Sequence, residues 1–171
     1  MRGFIFLLIV GVSGCSKNID SALTSKDLIA EFSKHEQQYK KLRDMVTADA
    51  NELQKFEVGI HRLGDYRLYD DGWAKQYGNY ISLEAILAEY SLTQSRLQEY
   101  LTLLSATGAS VVERHKDSVS ISISSSGFVF GGCLSQIHYE PNVLTLEKPS
   151  WAQVYYKAKF YDNWGGETKC D

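Results

Sequence analysis

The feature that most constrains this chain is a change of hydrophobic period near Ala109. Before it, apolar residues recur in steps of three and four, as on one face of a helix; after it, they alternate, as on one face of a strand. Leu28, Phe32, His35, Tyr39, Leu42, Val46, Asp49, Leu53 and Phe56 form one stripe over four heptads, and neither Gly nor Pro interrupts the chain from Ser25 until Gly59. The spacing predicts a helix from about 26 to 57, near 48 Å long at 1.5 Å per residue, with Ser25 or Thr24 as its N-cap. Its two polar stripe residues, His35 and Asp49, are expected to set register by meeting polar partners from a second helical layer.

That second layer is legible further on. Ser82 is placed to cap a helix over Leu83 to Tyr90, and Ser91-Leu92-Thr93-Gln94 interrupts it. A further helix carries Leu97, Tyr100, Leu101 and Leu104 before Gly108 stops it. Between the long helix and these two, Gly59, Gly64, Gly72 and Gly78 break any regular reading, and Asp70-Asp71-Gly72 is a turn signal. Beyond Ala109, Val111 to His115, a Lys116-Asp117 turn and Ser118 to Ser124 read as a hairpin, with the serine row solvated. Phe128 to Phe130, Cys133 to Tyr139, Val143 to Glu147, the alternating run around Val154, Tyr156, Ala158 and Phe160, and Trp164 to Cys170 supply further strands. The expected fold is α+β. A long amino-terminal helix and shorter antiparallel helices (residues 25–107) pack on a carboxyl-terminal antiparallel sheet of four to six strands (residues 108–171). This order resembles small exported bacterial proteins that end in a Tyr-rich strand, an Asp-Asn-Trp-like turn and a last strand, here Tyr155 to Trp164 and beyond. The resemblance implies no catalytic residue.

One domain is expected from 171 residues, of which 44% are hydrophobic and 23% charged. A net charge of −3 lacks the basic excess that neutralises phosphates, which argues against a nucleic-acid partner. No G-x-S-x-G elbow, Gly-rich phosphate loop or zinc-ligand spacing occurs, so the chain reads as a non-enzymatic protein without a cofactor or metal.

The amino terminus carries an address. Arg2 precedes an apolar run from Phe4 to Val12 that is about half the ~20 residues a spanning helix needs, which is the pattern of a signal peptide over residues 1–14. Val12-Ser13-Gly14-Cys15 resembles the lipobox of bacterial lipoproteins. That resemblance implies cleavage before Cys15, acylation of its thiol and stable attachment to a lipid bilayer through two or three chains. Residues 15–24 then form the lipidated cysteine and a tether; nine flexible residues reach about 15–20 Å. Ser16, where an Asp would retain the protein at the inner membrane, implies the periplasmic face of the outer membrane.

With Cys15 assigned to lipid, Cys133 and Cys170 remain as an even pair in an exported protein, and a disulfide is expected, with Cα atoms about 4.4–6.8 Å apart. The rival is a reactive Cys133 thiol beside His138 or His115. For function the leading expectation is a membrane-anchored module that binds an envelope protein, as an inhibitor or immunity protein does, through a surface containing Tyr155, Lys157, Tyr161 and Trp164. The alternative is a lipoprotein that binds or modifies envelope glycan through Tyr66, Tyr69, Trp73 and Tyr77. The address is checked by mass spectrometry of the membrane-extracted protein: the amino-terminal peptide is expected to begin at an acylated Cys15, and an unmodified Cys15 behind an intact Met1 to Gly14 contradicts it.

Overall fold

The computed structural model describes residues 22–126, 132–140 and 147–171. The expected leader, Cys15 and most of the tether, the run Phe128 to Phe130, and positions 143–146 of the expected short strand lie outside these residues. The elements in chain order are helix α1 (Ser25–Asp49), strands β1 (Lys55–Gly59), β2 (Arg62–Leu63), β3 (Tyr66–Tyr69) and β4 (Gly72–Ala74), and helices α2 (Leu83–Glu89) and α3 (Gln94–Thr107). Strands β5 (Val111–His115), β6 (Ser118–Ser126), β7 (Cys133–Tyr139), β8 (Val154–Lys159) and β9 (Trp164–Cys170) follow. All nine described strands join one antiparallel sheet in the order β4-β3-β2-β1-β5-β6-β7-β9-β8. The fold is α+β as expected, with more sheet than expected: nine described strands where four to six were predicted.

The difference lies in residues 50–74. Helix α1 starts at a capping box, in which Thr24 Oγ1 accepts from Asp27 N and the Asp27 carboxylate accepts from Thr24 N. It ends at Asp49, eight residues short of the expected boundary, because Asn51 takes a left-handed conformation (φ 46°) and turns the chain. Leu53 is left exposed. Phe56, the last stripe residue, is buried from strand β1 instead, since Phe56-Glu57-Val58 also satisfies the two-residue period and pairs with β5. The segment without a regular pattern becomes a meander of three tight hairpins, β1–β2, β2–β3 and β3–β4. At the β2–β3 turn Gly64 has φ +55°, and a Cβ there would lie about 2.0 Å from the Tyr90 ring, so the turn and the end of α2 need glycine to meet. The hydroxyl of Tyr90 then accepts from Asp65 N at 3.0 Å.

Helices α2 and α3 form as expected, capped by Ser82 and Thr93, and Gly108 (φ 65°) closes α3. Asp49 meets its partners from that layer: Arg96 Nε at 2.7 Å and Tyr100 OH at 2.8 Å, both from α3. His35 does not. It lies near Glu31 (3.7 Å) and the Tyr39 ring of its own helix, at a point where the backbone leaves helical geometry (φ −121°, ψ 20°).

The three helices cover one face of the sheet. Leu28, Phe32, Tyr39, Leu42, Met45 and Val46 of α1 and Leu97, Tyr100 and Leu104 of α3 share a core with Phe56, Val58, Val112, Val119, Ile121, Ile137, Ala158 and Trp164 from the strands. Phe32 stacks on Phe160 at 4.4 Å and sits 5.2 Å from Trp164, whose other neighbour is Tyr139 at 5.1 Å. The Arg43 guanidinium lies 4.6 Å from the Tyr139 centroid. Ser25 Oγ donates to Lys157 O at 2.8 Å, fastening the start of α1 to the edge strand β8.

Cys133 and Cys170 are bonded, with Cα atoms 4.1 Å apart. This lies just under the expected range because the two face each other directly across β7 and β9, and Asp171 N donating to Gly132 O makes theirs the closer, non-hydrogen-bonded kind of pair. The bond closes the loop of residues 133–170 and is worth roughly 4 kcal/mol on chain-entropy grounds. Beside it Ser135 and Thr168 are fully buried and satisfy each other at 2.8 Å.

Trp164, expected on a partner surface, is 2% exposed. Its register opposite Tyr139 and beside Phe32 turns it toward the helices. Trp164→Ala is therefore expected to lower unfolding stability by about 3–5 kcal/mol in urea titration, whereas Tyr161→Ala, which removes one exposed hydrogen bond, is expected to cost about 1 kcal/mol.

Candidate functional site

The other face of the sheet carries no helix among the described residues, and strand register fixes what it displays. One row runs Arg67, Arg62, Gly59, Val111, Ser122, Gln136, Glu167 and Lys157 across β3, β2, β1, β5, β6, β7, β9 and β8. The adjacent row runs Glu57, Glu113, Ser120, His138, Gly165 and Lys159. Alternation alone places each of these opposite the core residues beside it.

Two carboxylates on this face are buried, each beneath cations. The Glu57 side chain is 3% exposed and forms ion pairs with Arg67 and, at 3.8 Å, with Arg62. The Glu167 side chain is 4% exposed and lies 2.6 Å from Lys169 Nζ and 3.1 Å from His138 Nε2. Burial alone would raise the Glu167 pKa, but His138 and Lys169 outweigh it and bring the carboxyl down to about 2. The same enclosure, helped by the charge of Glu167, pushes the Tyr155 hydroxyl up to about 12. The third acid, Glu113, is half-buried and 3.6 Å from Lys55.

Between the two clusters the face sinks into a depression of about 420 Å³. Its lining includes His61, Arg62, Ser110, Val111, Ser122, Ser125, Leu134 and Gln136. Short side chains, Ser110, Val111, Ser122 and Ser125, line the hollow, and Gln136 Nε2 donates to Ser122 Oγ at 3.2 Å. The serine row is thus less solvated than its alternation predicts. Ser122 is buried, and a bulge between Ser122 and Ser124 moves Ser124 into register with Ser135, on the other face. Such a surface offers hydrogen-bond donors and fixed positive charge to a ligand laid against it. Among the described residues no group of three or more His, Cys, Asp or Glu side chains is placed to hold a metal.

The predicted partner residues are divided by the sheet. Tyr155 and Lys157 lie on the helix-free face, opposite Lys169 and Glu167. Tyr161 does not join them. Strand β8 ends at Lys159, Asp162 (φ 45°) turns the chain, and the Tyr161 ring packs 5.8 Å from Phe32 while its hydroxyl donates to Glu36 of α1 at 2.5 Å. The predicted glycan residues are divided too. Tyr66 is buried with its hydroxyl on Glu89 (2.6 Å), and Trp73 packs half-buried on the core. Tyr69 and the well-exposed Tyr77 remain in edge contact at 5.6 Å, with Tyr80 6.1 Å from Tyr77. Cys133, being disulfide-bonded, is no free thiol beside His138.

Glu57, Arg62, Arg67 and Glu167 were not singled out by sequence, and His138 was named only as a neighbour of a reactive Cys133 thiol. The pattern Trp164-Gly-Gly-Glu167-Thr-Lys169-Cys170 contained the signal for Glu167, because alternation sets Glu167 and Lys169 on the face opposite Trp164 and Cys170. No protein-family model, curated protein or solved structure matches this chain.

A carboxyl held at about 2, below its usual 4.5, contributes stability that is fully present above pH 4.5 and is lost as pH falls toward 2. Glu167→Gln is expected to be less stable than the native chain at pH 6. The gap should close on acidification to pH 2, as followed by urea midpoints; a gap independent of pH contradicts the burial of an ionised Glu167.

Proposed function

We propose that this chain is a lipoprotein of the bacterial envelope, anchored through an acylated Cys15, whose domain binds another protein without catalysing a reaction. Val12-Ser13-Gly14-Cys15 behind the apolar run of residues 4–12 supports the anchor, and Ser16 supports the periplasmic face of the outer membrane. No helix among the described residues is long and apolar enough to cross a membrane. The binding role rests on one observation above the others: a sheet face of nine described strands is left without helices, and its polar side chains are held in place by ion pairs over buried acids. A rigid, preorganised polar surface loses little side-chain freedom on association, which favours recognition of a folded partner. An inhibitor or immunity protein acting on an envelope toxin is the class of module that fits this combination.

The exposed Tyr77 and Tyr80, with the half-buried Tyr69 beside them, support a second reading, envelope glycan binding, because flat rings at a hairpin tip offer stacking faces to sugars. The two are separated by cross-linking the protein in intact cells. One protein captured at equal stoichiometry, and retained by Tyr77→Ala, supports the protein-binding role. Retention on peptidoglycan or polysaccharide that is lost in Tyr77→Ala favours glycan, and release of the Cys15→Ala variant from the membrane fraction checks the anchor in the same cells.

A further inference from the structure

Resting on the protein-binding reading, we propose that the helix-free face recognises an acidic, extended segment of the partner, laid across the sheet from Arg62 to Lys157. Within the described strands this face carries Lys55, Arg62, Arg67, Lys157, Lys159 and Lys169 against three acids, Glu57, Glu113 and Glu167. Depth sharpens the imbalance. Glu57 and Glu167 are almost wholly covered, whereas the side chains of Arg62 and Lys55 are 51% and 56% exposed and Lys159 is exposed as well. The partner therefore meets cations first, although the whole chain has a formal charge of −3.

That contrast selects the occupant. A long polyanion such as nucleic acid, or an anionic bilayer, would also face the acidic remainder of the surface, whereas a short acidic segment meets only the cationic face. The row also has a length and a pattern. Arg62 and Lys157 stand six strands apart, about 29 Å at 4.8 Å per strand, which an extended peptide of about nine residues spans. Between them lie Gly59, Val111, Ser122 and Gln136, uncharged and partly hollow. The matching segment has acidic ends and a small, neutral middle.

The probe is the fluorescein-labelled peptide Glu-Glu-Ser-Gly-Ser-Gly-Ser-Glu-Glu, titrated by anisotropy with the full chain in a nonionic detergent, beside its Lys-for-Glu counterpart. At low salt the acidic peptide is expected to bind at least tenfold more tightly than the basic one, and 0.5 M NaCl is expected to weaken it more than tenfold. Arg62→Glu and Lys159→Glu are each expected to weaken it at least fivefold, and Lys34→Glu on the exposed side of α1 to leave it unchanged. Lys159 lies away from Glu57, so its variant tests the face even where Arg62→Glu disturbs folding. Equal binding of both peptides overturns the proposal, as does equal sensitivity to Lys34→Glu. Tighter binding to inorganic polyphosphate or to phosphatidylglycerol vesicles, lost in the same variants, also overturns it in favour of a general anion surface or a lipid surface. A stoichiometric protein cross-linked in cells through some other face would overturn this inference while leaving the protein-binding reading in place.

Discussion

The fold depends on helix α1 finding a surface broad enough to cover its apolar stripe. No short helix pair could do this over the length of α1, and α2 and α3 cover only part of it. The rest falls to the strands, and the closest contact is aromatic: Phe32 stacks on Phe160 and leans on Trp164, with Tyr139 and Arg43 closing the ring. Phe160 reaches that position because β9 offers Gly166 beneath it; a Cβ at Gly166 would come within 3.0 Å of the Phe160 ring. The apolar contacts thus account for which sheet face is inside, and the disulfide holds β7 and β9 together at the other end of the same strands.

The opposite face follows from the same register, with different chemistry. Ionised carboxylates in a covered position are costly unless cations and hydrogen bonds replace the lost water, and breaking such a pair leaves an uncompensated charge. Glu167 meets that requirement through Lys169, which donates a hydrogen bond to it at 2.6 Å, with His138 beside it, whereas Glu57 is met by the charges of Arg67 and Arg62 and its Oε1 accepts no hydrogen bond among the described residues. Because the acids lie low and the cations lie above them, each cluster holds long basic side chains in fixed directions that they would not keep alone.

Much of this was legible in the chain. The alternation from Val111 onward gives β5 to β9 nearly residue for residue, and Ser82, Thr93 and Gly108 mark the short helices because capping is local chemistry. Asp49, read as a register residue, finds Arg96 and Tyr100. The errors arose where one stretch satisfies two periods. Leu53 and Phe56 extend the helical stripe, yet Phe56 also alternates with Val58, and only the availability of β5 as a pairing partner decides between them. Tyr161 and Trp164 were misplaced for a related reason: counting by twos assumes the strand continues, and a turn at Asp162 resets the count. The buried acids were harder still, since a lone Glu in a short run has no sequence mark until its neighbours across the sheet are known.

The fastening of Ser25 to Lys157 bears on how such a domain behaves when many copies crowd one surface. Strand β8 is the last strand in the order of the described sheet, and the outward carbonyls of an edge strand are a template on which a second chain can add a strand. Here the first turn of α1 takes one of those carbonyls, and the lysines at 157 and 159 place charge along the same border. The start of the helix therefore guards this border of the sheet against joining a neighbouring chain edge to edge, a safeguard whose value would rise under the proposed anchoring to a membrane surface.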